Sequence, residues 1–275
     1  ALQNDELLLH YQPLIDLANG RITSVEALLR WQHPRRGLVL PEEFIDVAEQ
    51  RGLITEIGAW ALQTACGQAA SWYRQYGEAA PRLAVNVSTR QLGNQGMARC
   101  VHHALDTYAL PSDRLYLEIT ESQLLLAGSS AVTDLRTLAD HGVRIAVDDF
   151  GTGYSGFDYL RRLPVHELKI DKSFIDGVTC DSTYTAITAS IVALGLNLGL
   201  TVVAEGIETP QQLQALQDLG CTWGQGWLWH PALPAQDIDG LLVARPAVLP
   251  DRRPGDHHPD ATPADRITTP NPPDA

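Results

Sequence analysis

Several polar side chains sit where they are normally disfavoured, at or just past the ends of short apolar runs. Glu26 lies in ITSVEALLRW, Glu118 in LYLEIT, Asp148 and Asp149 in RIAVDD, and Glu205 in TVVAE. Asn86, Lys169 and Gln225 hold the same place in LAVNVS, ELKID and CTWGQGW. Five carboxylates and one amide oxygen, with no Cys or His among them, form a hard-oxygen donor set suited to Mg²⁺ or Mn²⁺ rather than zinc. Brought together without cations, two such charges ~4 Å apart would repel by about 4 kcal/mol at an effective dielectric of ~20. Some of the acids would then take up protons. Divalent ions remove the conflict. With two adjacent aspartates, Asp148 can bridge a pair of ions while Asp149 binds only the second, and paired metals ~3.5–4 Å apart serve in-line displacement at phosphorus.

The aspartates also decide how to read the stretch VDDFGTGYSG, residues 147–156, which contains a literal G-x-G-x-x-G. A dinucleotide-binding loop would require a strand before it, a helix after it and an acid about 20 residues on, and Asp171 meets the last condition. Two carboxylates immediately before the glycines are incompatible with an unscreened pyrophosphate on a helix N-terminus. The motif also falls late in an alternating series. Phosphate is expected to approach this loop only through cations. No Walker-type phosphate loop is present.

These residues need elements that place them at one rim. LLLHYQP (7–13) and ITSVEALLRW (22–31) read as a hairpin around Asn19-Gly20. Pro41 opens a helical stretch closed by Gly52, and an amphipathic helix follows to about Tyr76. Strands at 83–88, 115–120, 144–149, 167–171 and 201–205 then alternate with helices, including a short one near 156–162 and a long one at 183–199. A last strand lies in 221–227. Apolar, β-branched strands alternating with helices imply parallel strands covered on the outside. About eight strands in some 240 residues predict an α/β (β/α)₈ TIM-like barrel, whose active site lies where the loops after the strands gather.

Composition sets limits. A net charge of -13 disfavours a nucleic-acid polymer as partner, because that grip needs clustered Lys and Arg. No apolar run approaches the ~20 residues of a membrane helix, so this region is not expected to insert. Cys66, Cys100, Cys180 and Cys221 have no metal-site spacing and read as reduced, mostly buried thiols. Residues 249–275 are expected to form a disordered tail after a domain at 1–248, since from Pro250 onward the chain carries 7 of the 17 prolines and one strong hydrophobe, Ile267. Met97 is the only methionine, which suggests a piece cut from a longer protein.

The segments YQPLIDL, VEALLRW, NVS, LEITES, VDDFGTGYS, LKIDKSF, VVAEGIET and GCTWGQGW together resemble the EAL domain of bacterial cyclic di-GMP phosphodiesterases, over about residues 7 to 240. The resemblance implies a barrel with one antiparallel strand, consistent with the opening hairpin. It implies that Glu26, Asn86, Glu118 and Asp148 bind one Mg²⁺ or Mn²⁺, and Asp148, Asp149 and Glu205 a second, with Ca²⁺ inhibiting. Lys169 would hold the attacking water, and Glu26, Asp149 and Glu205 would share in catalysis. Gln225 would orient the metal shell, Arg30 would meet a substrate phosphate, and Gln12 would reach a guanine. Glu121 would anchor the loop from Phe150 to Gly156, which supports a homodimer interface. The implied reaction is hydrolysis of cyclic di-GMP to linear pGpG in the cytoplasm. Upstream sensory or GGDEF-type domains are expected in the parent protein, which can be membrane-anchored. The alternative is a non-hydrolysing cyclic di-GMP receptor, a fate reached by losing metal ligands, all of which are intact here.

Two departures accompany the resemblance. Gly156 replaces a usual serine, adding backbone freedom to the loop, and Trp227 replaces a usual tyrosine or phenylalanine, a change read as packing. The six tryptophans read as core or rim, His33 as a loop residue, and Glu208 as a support for Glu205 or a helix start.

Overall fold

The turn at Asn19-Gly20 is built from its own side chains. Asp16 accepts from the Ala18 N–H (2.8 Å) and the Asn19 amide (2.7 Å), Asn19 accepts from the Arg21 N–H (2.9 Å), and Gly20 takes φ +71°. It joins β1 (Leu7–Asp16) to β2 (Ile22–His33), which run antiparallel from Leu7 opposite Trp31 to Leu14 opposite Ser24. These elements belong to a computed structural model that describes residues 1–88, 90–93, 96–153, 160 and 163–244. The expected tail at 249–275, the domain boundary at 248, Gly156 and, apart from the helical Leu160, the short helix near 156–162 lie outside the described residues.

Beyond the hairpin come β4 (Arg82–Asn86), β5 (Leu115–Thr120), β6 (Arg144–Phe150), β7 (Glu167–Ile170), β8 (Thr201–Ala204) and β9 (Trp223–Gly224). Each pairs parallel with its predecessor, starting from β2. β1 pairs antiparallel with both β2 and β9, which closes an eight-stranded barrel with one reversed strand. Tyr11 and Leu233 extend the seam by exchanging backbone hydrogen bonds of 2.7 and 2.9 Å. One strand was not foreseen: β3 (Gly37–Val39) adds to the outer edge of β2.

Among the described residues the helices with a full range are α1 (Ile45–Gln50), α2 (Ile54–Tyr76), α3 (Gly96–Tyr108), α4 (Glu121–Leu126), α5 (Ser129–Asp140), α6 (Lys172–Gly177), α7 (Ser182–Asn197), α8 (Pro210–Asp218) and α9 (Ala235–Ala244). The helix expected from Pro41 to Gly52 is broken at Phe44, with a 3₁₀ turn before α1. Four starts carry side-chain caps, from Thr120, Asp171, Asp181 and Thr209, each worth about 1 kcal/mol. The caps at Thr120, Asp171 and Thr209 stop the chain within a few residues of a strand's end, keeping the site loops short.

Strand alternation then sorts the side chains. Leu83, Val85, Leu115, Leu117, Ile145, Val147, Leu168, Ile170 and Val202 join the large core beneath the helices. The alternate residues point into the barrel, where Ala84, Tyr116 and Ala146 form a separate small cluster. Above that plug the inward positions are Glu26, Asn86, Glu118, Asp148, Lys169 and Gln225; below it lie Arg82 and Glu167.

Candidate metal centre and active site

Lys169 is the hub. It is fully buried, and its Nζ lies 2.8 Å from Glu205 Oε1, 3.0 Å from Glu118 Oε2, 3.2 Å from Glu26 Oε2 and 3.3 Å from Asp148 Oδ1. Burial alone would drive off the ammonium proton. The four carboxylates outweigh it and hold Lys169 well above the usual lysine range. Besides Lys169, Glu26 accepts two further hydrogen bonds, from the Asn86 amide at 2.7 Å and the Gln225 amide at 2.8 Å. Burial favours its neutral form, yet Lys169 and these donors prevail and keep it below the ordinary glutamate value.

The remaining acids are under-compensated. Burial, then Glu26, pushes Glu118 well above its usual range, and burial likewise raises Glu205 against the pull of Lys169. Asp149 is lifted to about 6 by burial and by the charge of Asp148. Glu118 Oε2 meets only the Lys169 ammonium, off hydrogen-bond geometry, while Glu118 Oε1 and Gln225 Oε1 receive no hydrogen bond at all. Buried acceptors without donors are rare and expensive. Asp148, Asp149 and Glu205 each offer an oxygen within 4.8 Å of the others. Unsatisfied hard oxygens in excess of one lysine fit a divalent cation of the magnesium type, and the residues present match that donor set.

A bulge makes the Asp148–Asp149 pair possible. The register between β6 and β7 slips between Val147 and Phe150, and Asp149 adopts φ +53°. Consecutive residues of a regular strand face opposite ways; the extra residue turns Asp149 back beside Asp148, whose Oδ1 accepts the Asp149 N–H at 3.0 Å. Downstream, Glu121 Oε2 accepts the N–H groups of Gly151 (2.9 Å) and Gly153 (3.2 Å), so a buried carboxylate at the start of α4 holds the first turn of the loop.

Gln225 is seated by a close backbone approach: a Cβ on Gly226 would stand 2.1 Å from Ile207 O, so the residue after Gln225 must be glycine. Not all expected residues meet at Lys169. Gln12 lies opposite Glu26 in the β1–β2 register, but its amide donates to His230 O at 3.4 Å. Arg30 is half-buried and donates to Leu29 O at 2.8 Å; burial lowers its pKa, opposed by Glu42 and Glu26. Beside the cluster opens a cavity of about 560 Å³, reaching Asn86, Glu118, Asp148 and Asp149 and walled by Leu29, Ile45, Glu49, Ile54, Ser88 and Gln91. The wall residues Glu49 and Gln91 were not anticipated. Ser88, two residues past Asn86 in LAVNVS, was the available signal.

Three expectations need correction. Trp227 is not packed: it is 71% exposed, with Lys172 Nζ 5.5 Å from its ring centre, because Gly226 is buried against Ile207 and the next side chain must turn outward. Glu208 supports Lys172 through an ion pair rather than Glu205. Cys180 is exposed, whereas Cys66 and Cys221 are buried, and all four thiols are free.

The EAL domain family model matches residues 1–232. The chain belongs to the EAL domain family. This EAL domain is 44% identical over 238 residues to the Pseudomonas aeruginosa protein named bifunctional diguanylate cyclase/cyclic di-GMP phosphodiesterase MucR, covering 86% of this chain and 35% of that protein. It is 41% identical to the cyclic di-GMP phosphodiesterase NbdA of the same organism, covering 89% and 31%. A solved structure described as a PaMucR phosphodiesterase, c-di-GMP complex, superposes with a TM-score of 0.82 at 44% identity, covering 86% of this chain and 96% of that one. The chain thus spans about a third of the length of these two curated relatives. Among the described residues no helix is long and apolar enough to cross a membrane.

Proposed function

We propose that this EAL domain hydrolyses one phosphodiester bond of cyclic di-GMP, giving linear pGpG, with Mg²⁺ or Mn²⁺ as cofactor. The observation that carries the reading is the surplus of carboxylate oxygens around Lys169, in a chain whose relatives carry phosphodiesterase names. Glu26, Asn86, Glu118 and Asp148 would hold one ion, and Asp148, Asp149 and Glu205 a second. Ions bound there would neutralise the clustered charge and stabilise charge developing on the reacting phosphate oxygens.

The chain's own groups do the rest. Gln225 and Asn86 fix the Glu26 carboxylate from two sides, and Lys169 ties four strand ends to one point. With ions compensating the carboxylates, the buried ammonium is free to donate to the attacking water and hold it in line. Arg30, on the strand that carries Glu26, would turn from Leu29 O to meet a substrate phosphate. The cavity walled in part by Leu29, Ile45 and Ile54 has room for one base. The Glu121 clamp keeps Asp149 oriented through Gly151.

The homodimer is part of the same proposal. An apolar groove of about 440 Å³, lined by Phe150, Gly151, Phe174, Ile187 and Ile191, lies directly behind Asp149 and suits a second copy. Chromatography of products after incubation with Mg²⁺ and cyclic di-GMP tests the reaction: pGpG is expected. Bound but intact substrate at stoichiometric protein would establish the receptor instead.

A further inference from the structure

Asn86 is the last residue of β4, and the turn after it is closed twice. The Gln91 N–H donates to Ser88 O at 2.9 Å, while Gln91 Oε1 accepts the Ser88 N–H, also at 2.9 Å. Ser88 Oγ donates to Glu49 Oε1 on α1 at 2.6 Å, and the Val87 N–H donates to Glu118 O on β5 at 2.8 Å. Ser88 and Gln91 are both buried. The Gln91 amide occupies space that only a glycine in α2 leaves open: a Cβ on Gly58 would stand 2.0 Å from Gln91 Nε2 and 2.7 Å from its Cδ. Inside a helix, glycine is less favourable than alanine. That cost brings the helix nothing; it makes room for the amide.

We infer that Gln91, seated over Gly58, is a positioning residue for the metal centre: it locks the Ser88 turn and thereby fixes where Asn86 enters the site. Asn86 spends its amide N–H on Glu26 Oε1 at 2.7 Å, which leaves its carbonyl oxygen for an ion. A slack turn would let the carboxamide swing, because two residues beyond β4 the Ser88 N–H has this glutamine as its acceptor. The inference rests on the proposed role of Asn86 as a ligand. Neither Gln91 nor Gly58 contacts the ion or the reacting atoms in this scheme. Both act through Ser88.

Manganese binding to the substrate-free protein, followed by the electron paramagnetic signal of free Mn²⁺, provides the test. Gln91→Met keeps length and bulk but removes the acceptor; Gly58→Ala leaves Gln91 in place and displaces its amide. Each is expected to weaken Mn²⁺ binding about tenfold, as loss of a group supporting a ligand does. In EDTA both should stay fully folded at the assay temperature, melting somewhat lower because the buried Ser88 N–H loses its acceptor. Unchanged Mn²⁺ affinity in Gln91→Met would overturn the inference. So would a loss of folding stability that accounts for all of the weakened binding. If the unsubstituted protein bound no Mn²⁺, the metal reading itself would fall, an outcome distinct from both.

Discussion

The two ends of the barrel are built by the same strands and do opposite things. At the rim, Lys169 faces four carboxylates and cannot balance them. Two residues earlier on β7, Glu167 sits at the floor near Arg82 and Tyr116, with Arg82 Nη1 3.4 Å from Tyr116 Oη. There one acid meets basic and phenolic neighbours, and Arg82 also lies 5.7 Å from the Trp223 ring centre. Polar groups that compensate one another locally plug a barrel. Polar groups left in excess of one sign bind something. Burial strains both ends, but only at the rim would an external cation relieve it.

Substitutions separate the two ends. The largest effect belongs to Glu26→Ala, which should reduce turnover on the order of a thousandfold or more with the fold intact; unchanged product formation would defeat the assignment. Next, saturating Mn²⁺ at about 100 times its dissociation constant should stabilise the protein by about 2.7 kcal/mol in thermal melts. That gain should vanish in Glu118→Gln. It should also fade as pH falls below about 6, where Asp149 takes a proton and ceases to be a ligand; a shift equal at pH 5 and pH 8 would contradict this.

The floor should respond in the opposite sense. Burial lifts Glu167 to about 7, above its ordinary 4.5. A raised carboxyl pKa favours the folded state fully below 4.5, and that contribution is lost as pH rises through about 7. Glu167→Gln should therefore be more stable than the unsubstituted protein at pH 8, by up to about 3 kcal/mol, with the advantage disappearing near pH 4.5. Turnover should change little; denaturant midpoints and product assays at the two pH values check both halves. The smallest effect concerns thiols. Cys180 should react with a thiol reagent in the native state, while Cys66 and Cys221, buried and pushed to about 12, should react only on unfolding. Mass mapping of labelled peptides reads this directly.

The sequence made the rim visible for a physical reason: an acid ending a run such as LYLEIT has no core role, so residue type alone flags it. Strand–helix alternation located the rest of the barrel, and the antiparallel first strand followed from the Asn19-Gly20 turn. What stayed hidden depends on contacts between distant segments. That Lys169 touches four strand ends, that Glu208 pairs with Lys172, and that Gln91 fits over Gly58 are facts of packing with no local pattern. The reversal at Asp149 needed the β6–β7 register, and the exposure of Trp227 followed from the neighbouring glycine. β3 is too short to show a period of its own. Arg30 and Gln12 were singled out through family likeness, and their side chains turn to Leu29 O and His230 O.

The seam formed by β1 with β9 and Leu233 has a consequence for synthesis on the ribosome. Residues 7–16 leave the exit tunnel before the rest of the barrel, yet their second neighbour is the segment at 223–233. Until some two hundred further residues have emerged, one edge of the first strand stands open with unpaired amides, able to recruit a strand from another nascent chain. A nascent chain paused before residue 223 should therefore be the species most dependent on chaperones, and release of the last strand should end that dependence.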